Sequence, residues 1–349
     1  MTKIMLQQES TPASNEIPPQ MTIMQMISSY WISQSIYVAA KLGIADLLKE
    51  GAGNCKDLAR STNTNPRALY RLMRALASIG IFAEQEQGFF TLTPLAAFLQ
   101  SDVPGSIRNM AITSGEEAYQ AWGDILYSIQ TGESAFEHLY QMNLFEYLAK
   151  NRETGKMYEG AMTSLSTREG ATIAASYDFS SIHRIVDVAG GQGSLITSIL
   201  KANPTMQGVL FDQGSVIEGA KPLVEAEGVT ERCQLVAGDF FESLPRGGET
   251  YILKNILHDW DDERAIAILK NCHSAMIENG KLLVIELVIP PGNEPFYGKL
   301  LDLNMLITCP GGCERTKAEY QVLFEAAGFQ LTQIIPTSSG QSIIECVRQ

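Results

Sequence analysis

Arg184 to Ala202 reads RIVDVAGGQGSLITSILKA. The run RIVDV is apolar and short enough for a buried strand, while SLITSILKA has helical spacing. Between them Gly190, Gly191 and Gly193 let the backbone turn sharply and come close to a ligand. The spacing departs from the dinucleotide fingerprint G-x-G-x-x-G, because Ile196 stands at the last glycine when the count starts at Gly191. Taken alone, the turn serves equally as a tight strand-to-helix connection.

The texture persists downstream. Short apolar runs, GVLFD, CQLVAG, TYILKNIL and GKLLVIELV, alternate with helical segments such as VIEGAKPLVEAEG and ERAIAILKNCHSAM. Strands covered on both faces become continuous apolar runs, so the pattern predicts a mostly parallel sheet with crossover helices. FQLTQIIPT and SGQSIIECV flank a short turn and predict an antiparallel finish to that sheet.

Ligands of such sheets sit outside the carboxyl ends of the strands. Asp212 closes the next strand, 212 − 191 = 21 residues after the second glycine, where a carboxylate accepts from ribose hydroxyls. Asp239 and Phe240, in AGDFF, offer a carboxylate and an aromatic face to an adenine. No P-loop lysine is present and no arginine follows Asp212. The ligand these ends suit is an adenosine without phosphates, of which S-adenosylmethionine is the common one.

Ahead of this half lies a different one. The 349 residues exceed the usual single-domain size, so two domains are expected. In DLARSTNTNPRALYRLMRALASIGIFAEQEQGFFTLTPLAAFL, a helix, a turn at Ser61 to Pro66 and a second helix precede two short strands, GIFAE and GFFTLT. Leu69, Leu72, Met73 and Leu76 recur as a buried face. Arg67, Arg71 and Arg74 lie near one face of the second helix and raise a DNA-binding reading, with a solvated or interface face as its alternative. The balance of 26 Lys plus Arg against 39 Asp plus Glu, net −13, argues against nucleic acid and anionic membranes as partners. It favours the solvated face and a small-molecule ligand. Apolar residues of MTIMQMISSYWISQSIYVAAKLGIADLL cover more than one helical face, which suits a helix shared between subunits. Six cysteines without a CxxC pair suit a reducing, cytoplasmic compartment. No segment approaches membrane-spanning length, and the first twenty residues read as a disordered tail.

The cluster NILHDWDDE, Asn255 to Glu263, is the densest in chemistry. A metal would need His258 with Asp261 or Asp262 plus outside ligands. Those aspartates also fit the first turn of the following helix, where negative charge is favourable, so no metal site is expected.

From about Met21 onward the chain resembles the small-molecule O-methyltransferases that include the caffeic acid, isoflavone and acetylserotonin enzymes. The resemblance rests on VDVAGGQG, FD, GDFF, LKNILHDWDDE, LLVIELV and GGCERTKAEYQVLFEAAGF, in that order. It implies a tail over 1–20, a winged-helix dimerisation domain over 21–110, and a Rossmann-like class I methyltransferase domain over 111–349, working as a homodimer. It assigns S-adenosylmethionine to Ala189, Gly190, Gly191, Asp212, Asp239, Phe240 and Lys254, with Trp260 covering the adenine. Ala189 stands where the family has glycine, and alanine is expected to hold ordinary backbone angles there. His258 is implied as the general base, with Glu286 and Glu314 around it and Asp259 bracing its loop. Tyr158, Met162, Met305 and Cys309 are implied to line a pocket for an aromatic or enolic hydroxyl. Two alternatives are a relative turned to N- or C-methylation or to other chemistry, and a winged-helix regulator with a degenerate cofactor domain.

Overall fold

A computed structural model describes residues 17–349, so the predicted tail lies outside the described residues except for its last four. The chain enters helix at Pro19–Ile27 and again at Tyr30–Lys41. A one-turn helix, Ile44–Leu47, leads to two longer ones, Cys55–Ser61 and Pro66–Ser78. Their starts are written in the sequence. Asn54 accepts from the Lys56 N–H and Asn65 from those of Arg67 and Ala68, with Pro66 at the first helical position.

A three-stranded sheet completes this half, β1 (Gly53–Asn54), β2 (Phe82–Glu86) and β3 (Phe89–Leu92), in the order β1-β3-β2. Leu69, Met73 and Leu76 are buried against Phe82 and Phe90, while Leu72 is half-buried at the edge of the same cluster. Arg67, Arg71 and Arg74 all face solvent. The first two helices leave Met24, Met26, Ile27 and Trp31 exposed, Met26 by 64%. Such a patch on one chain is a surface waiting for a partner.

The second half is built on seven strands: β4 (Arg184–Val188), β5 (Gln207–Asp212), β6 (Cys233–Ala237), β7 (Thr250–Lys254) and β8 (Lys281–Glu286), then, after two short strands described next, β11 (Phe329–Pro336) and β12 (Ser342–Arg348). The order is β11-β12-β8-β7-β4-β5-β6, with β4 to β8 parallel and β12 antiparallel to both neighbours. One apolar cluster on each face buries it, which is why the interiors of β7 and β8 are apolar runs and β4 is apolar but for Asp187. The short strands β9 (Val288–Ile289) and β10 (Arg315–Thr316) pair in parallel beside the sheet, Arg315 opposite Val288.

The chain leaves β4 for β5 on one side and crosses back to β7 on the other. The crevice above the ends of β4 and β7 is therefore the topological switch point, where open α/β sheets bind ligands. Both strands end there in left-handed backbone at non-glycine residues, Ala189 at φ 54° and Asn255 at φ 54°. A 25-residue helix, Arg152–Ser176, runs from the first half to the sheet and packs on the helix Ser194–Ala202 that follows β4.

Candidate active site

The turn after β4 differs from expectation at one residue. Ala189 adopts a left-handed conformation, not ordinary angles, because the chain must reverse before Gly191 (φ 61°) and Gly193 (φ 85°) continue into the helix. A side chain there costs about 1–2 kcal/mol that glycine avoids. At Gly190 no side chain fits: a Cβ would stand 2.5 Å from Asp187 Oδ2 and from Leu210 Cδ1. At Gly191 a Cβ would meet nothing within 4 Å, so the turn's outer face opens onto free space.

Asp212, at the end of β5, curls back to this turn. Its Oδ2 accepts from the Gly191 N–H at 2.8 Å and its Oδ1 from the Gln213 N–H at 2.7 Å. Burial pushes its carboxyl up from the ordinary value, against those two hydrogen bonds. Each oxygen keeps a lone pair for a further donor. Under the turn lies a group that sequence reading passed over, Asp187, 1% exposed and with Oδ2 lacking a partner. Burial raises its carboxyl to about 7, opposed by the charge of Lys254. The available signal was an aspartate inside an apolar strand, a costly place for an unpaired charge.

Lys254 ends β7 with its side chain already engaged. Its Nζ lies 2.8 Å from Glu169 Oε2 and 3.3 Å from Ser166 Oγ, both on the long helix. The side chain thus ties sheet to helix. Asp239 is exposed and holds the Phe241 N–H at 2.8 Å. Phe240 and Phe241 present their edges to Trp260, at 6.2 and 5.0 Å between ring centroids, and Phe145 stacks on it at 5.5 Å. These rings form an aromatic wall past the end of β6.

After Asn255 the chain makes one 3-10 turn, Leu257–Asp259, and every feature of that turn is held from elsewhere. Glu286, 0% exposed at the end of β8, accepts with Oε1 from the N–H groups of Ile256, Leu257 and His258 at 3.0, 2.7 and 3.2 Å. Its Oε2 accepts from the Tyr320 hydroxyl. Glu286 therefore meets the backbone of the turn, its hydrogen bonds going to the amides, that of His258 included, and not to the imidazole nitrogens. The ring belongs to Glu314: His258 Nδ1 lies 2.7 Å from Glu314 Oε1, both side chains buried. That bond puts a proton on Nδ1 and leaves Nε2 as the free position.

Asp259 is also placed differently from a loop brace. Its Oδ1 lies 3.5 Å from His258 Nε2 and accepts from Cys309 Sγ at 3.5 Å. It stands on the open side of the ring. Burial depresses the imidazolium, but the carboxylates of Asp259, Glu314 and Glu286 together outweigh it and raise His258 to about 9. Burial likewise lifts Asp259 to about 6, while His258 opposes. Cys309 follows the helix Gly298–Thr308, which carries the buried Met305. Tyr158 and Met162 lie four residues apart on the long helix, hence on one face. The Tyr158 hydroxyl is pushed well above its ordinary value by burial and then by the charge of Asp259. Asp261 and Asp262 belong to the next helix, Asp262–Ala275, where Asp261 caps the Arg264 N–H at 2.8 Å. Among the described residues no group of three or more His, Cys, Asp or Glu side chains is placed to hold a metal.

The arrangement defines a class I methyltransferase domain with a dimerisation module ahead of it. The chain belongs to the O-methyltransferase family: residues 122–330 match the O-methyltransferase domain and residues 24–102 the O-methyltransferase dimerisation domain. It is 46% identical over 329 residues to the phenazine O-methyltransferase PhzM of Lysobacter antibioticus, covering 94% of this chain and 96% of that one. The crystal structure of LaPhzM superposes with a TM-score of 0.93 at 45% identity, over 95% of this chain and 100% of that one. That of NcsB1 from neocarzinostatin biosynthesis, in complex with S-adenosylmethionine and 2-hydroxy-5-methyl naphthoic acid, gives 0.83 at 29% identity, over 96% and 100%.

The protein is an S-adenosylmethionine-dependent methyltransferase with a dimerisation domain over residues 24–102. The residues present fit that cofactor. The face left open at Gly191, the spare lone pairs of Asp212 and the aromatic wall at Trp260 match an uncharged ribose and a base. No described helix is long and apolar enough to cross a membrane.

Proposed function

We propose that the enzyme methylates a hydroxyl of a small aromatic or enolic acceptor, with His258 as general base. The observation that carries this reading is the buried Nδ1 to Glu314 contact of 2.7 Å, which aims a free Nε2 at the space bordered by Asp259 and Cys309. An amine keeps a free lone pair and needs no base before it attacks; a hydroxyl is a far better nucleophile once deprotonated. A base held this firmly favours oxygen.

The cofactor, when bound, supplies the methyl group and a positive sulfonium. Proton transfer from a phenol, pKa about 10, to an ordinary histidine is uphill by roughly 3.5 units, about 5 kcal/mol. With His258 raised by the surrounding carboxylates that gap shrinks, and the transfer is less uphill. Glu314 stabilises the imidazolium that results, and Asp259 shares it from the other side.

We place the ribose on Asp212, the adenine between Asp239, Phe240 and Trp260, and the methionine end at Ala189, Gly190 and the region of Lys254. The acceptor takes the space among Tyr158, Met162, Met305 and Cys309, whose apolar and polarisable side chains suit a flat ring. The relatives' phenazine and naphthoic acid ligands are of this shape. In the test, His258→Ala is assayed with labelled cofactor against a panel of hydroxylated and aminated aromatics. Turnover of the hydroxyl acceptors should fall by ~10² to 10⁴-fold at unchanged cofactor affinity. Retained O-methylation would sink the assignment.

A further inference from the structure

Arg315 is a fully buried cation, 2% exposed, one residue beyond the carboxylate that meets the imidazole. Its Nη1 donates to the carbonyl of Leu257 at 2.9 Å and its Nη2 to that of Trp260 at 2.8 Å. The Nε and Nη2 groups also bond Asp262 Oδ1, at 3.0 and 2.8 Å. So one guanidinium grips the backbone before His258 and after it, together with the first residue of the following helix.

The neighbours of Arg315 complete the pattern. The Cys313 N–H donates to the carbonyl of His258 itself at 2.9 Å, and Glu314 holds its ring. Three successive residues thus take the carbonyls of 257, 258 and 260 and the imidazole between them. From the opposite side Glu286 takes the N–H groups of 256, 257 and 258. The segment is itself fixed, since the Glu314 N–H donates to Asp302 at 2.8 Å and Arg315 pairs with Val288.

We infer that Arg315 is a positioning residue for methyl transfer, which sets the distance and angle of His258 by clamping both carbonyls that flank it. The inference rests on the reading of His258 as the base. A planar fork that donates in three fixed directions suits this task; a lysine, with one point charge, reaches one carbonyl or the carboxylate but not the set. Misplacing a reacting group by an ångström is enough to cost on the order of 10²-fold in rate.

The test compares Arg315→Lys, Arg315→Met and the double variant His258→Ala/Arg315→Met with the unaltered dimer, each checked for folding by circular dichroism. Arg315→Met should lower kcat by roughly 10²-fold, with acceptor KM and S-adenosylmethionine Kd held within about threefold. Arg315→Lys, which keeps the charge and disturbs folding least, should lower kcat about tenfold at the same KM and Kd. In the His258→Ala background, adding Arg315→Met should change the residual rate by less than about twofold, because the group it positions is gone. Full activity of Arg315→Lys, a loss that falls on KM or Kd instead, or an undiminished Arg315→Met effect in the His258→Ala background would each overturn the inference. His258→Ala alone retaining turnover would instead overturn the base assignment, so the two failures are distinguishable.

Discussion

Replacing Ala189 by glycine should stabilise this enzyme, although glycine substitutions usually do the reverse. In the structure Ala189 sits at φ 54°, half-buried, at the end of β4. Holding an L-residue there costs about 1–2 kcal/mol. Against that gain, glycine releases more unfolded-state entropy, about 0.5–1 kcal/mol. The methyl group also gives up whatever burial it has, at most about 0.8 kcal/mol for a fully buried carbon. The half-buried position halves that loss, and the net gain is of order 0.5 kcal/mol. For a chain of this size this amounts to roughly 0.7 °C in Tm. Scanning calorimetry of the two dimers at equal concentration, without cofactor, measures it. A lower Tm for Ala189→Gly would refute the reasoning, because it would mean that the turn relaxes around alanine at no cost.

Other perturbations probe the site itself. Glu314→Gln removes one of the three charges that raise His258; its pKa then falls, the ring is neutral at lower pH, and the rising limb of the pH–rate profile should move acidward by about one unit with a lower plateau. An unmoved limb would show that another group titrates. Asp212→Ala should weaken S-adenosylmethionine binding by at least about tenfold in titration calorimetry, since it removes an acceptor and frees the Gly191 N–H. Unchanged affinity would displace the ribose from the end of β5. Glu286→Ala leaves three N–H groups and the Tyr320 hydroxyl without an acceptor in a dry place, and should cost roughly 3–5 kcal/mol in urea unfolding. A loss under 1 kcal/mol would mean that water replaces the carboxylate.

The sheet and its ligand end were legible because they depend on local signals. Apolar runs of five residues, a glycine turn and a carboxylate one βαβ unit later need no knowledge of contacts. The caps at Asn54, Asn65 and Asp261 are local too. His258 and Glu314 were another matter: 56 residues separate them, and only the resemblance joined them. Glu286 announced its burial by sitting in KLLVIELV, yet nothing in the letters distinguishes a partner ring from partner amides. Ala189 misled because residue type does not display φ; the chain takes a left-handed conformation there in spite of the methyl group. Lys254 came from the resemblance and Asp259 from its place in the histidine loop, which locates the backbone but leaves open where the side chain is drawn. Arg315 was invisible for the same reason, since a lone arginine after a glutamate reads as a surface charge until the fold encloses it.

The hold on the 3-10 turn carries an evolutionary consequence. Within the turn Glu286 and Arg315 grip main-chain atoms, and these are the same whichever residue occupies position 258. The scaffold is therefore indifferent to the identity of the base. A lineage can exchange the histidine, and with it the nucleophile the enzyme serves, while the loop that bears the new side chain keeps its shape.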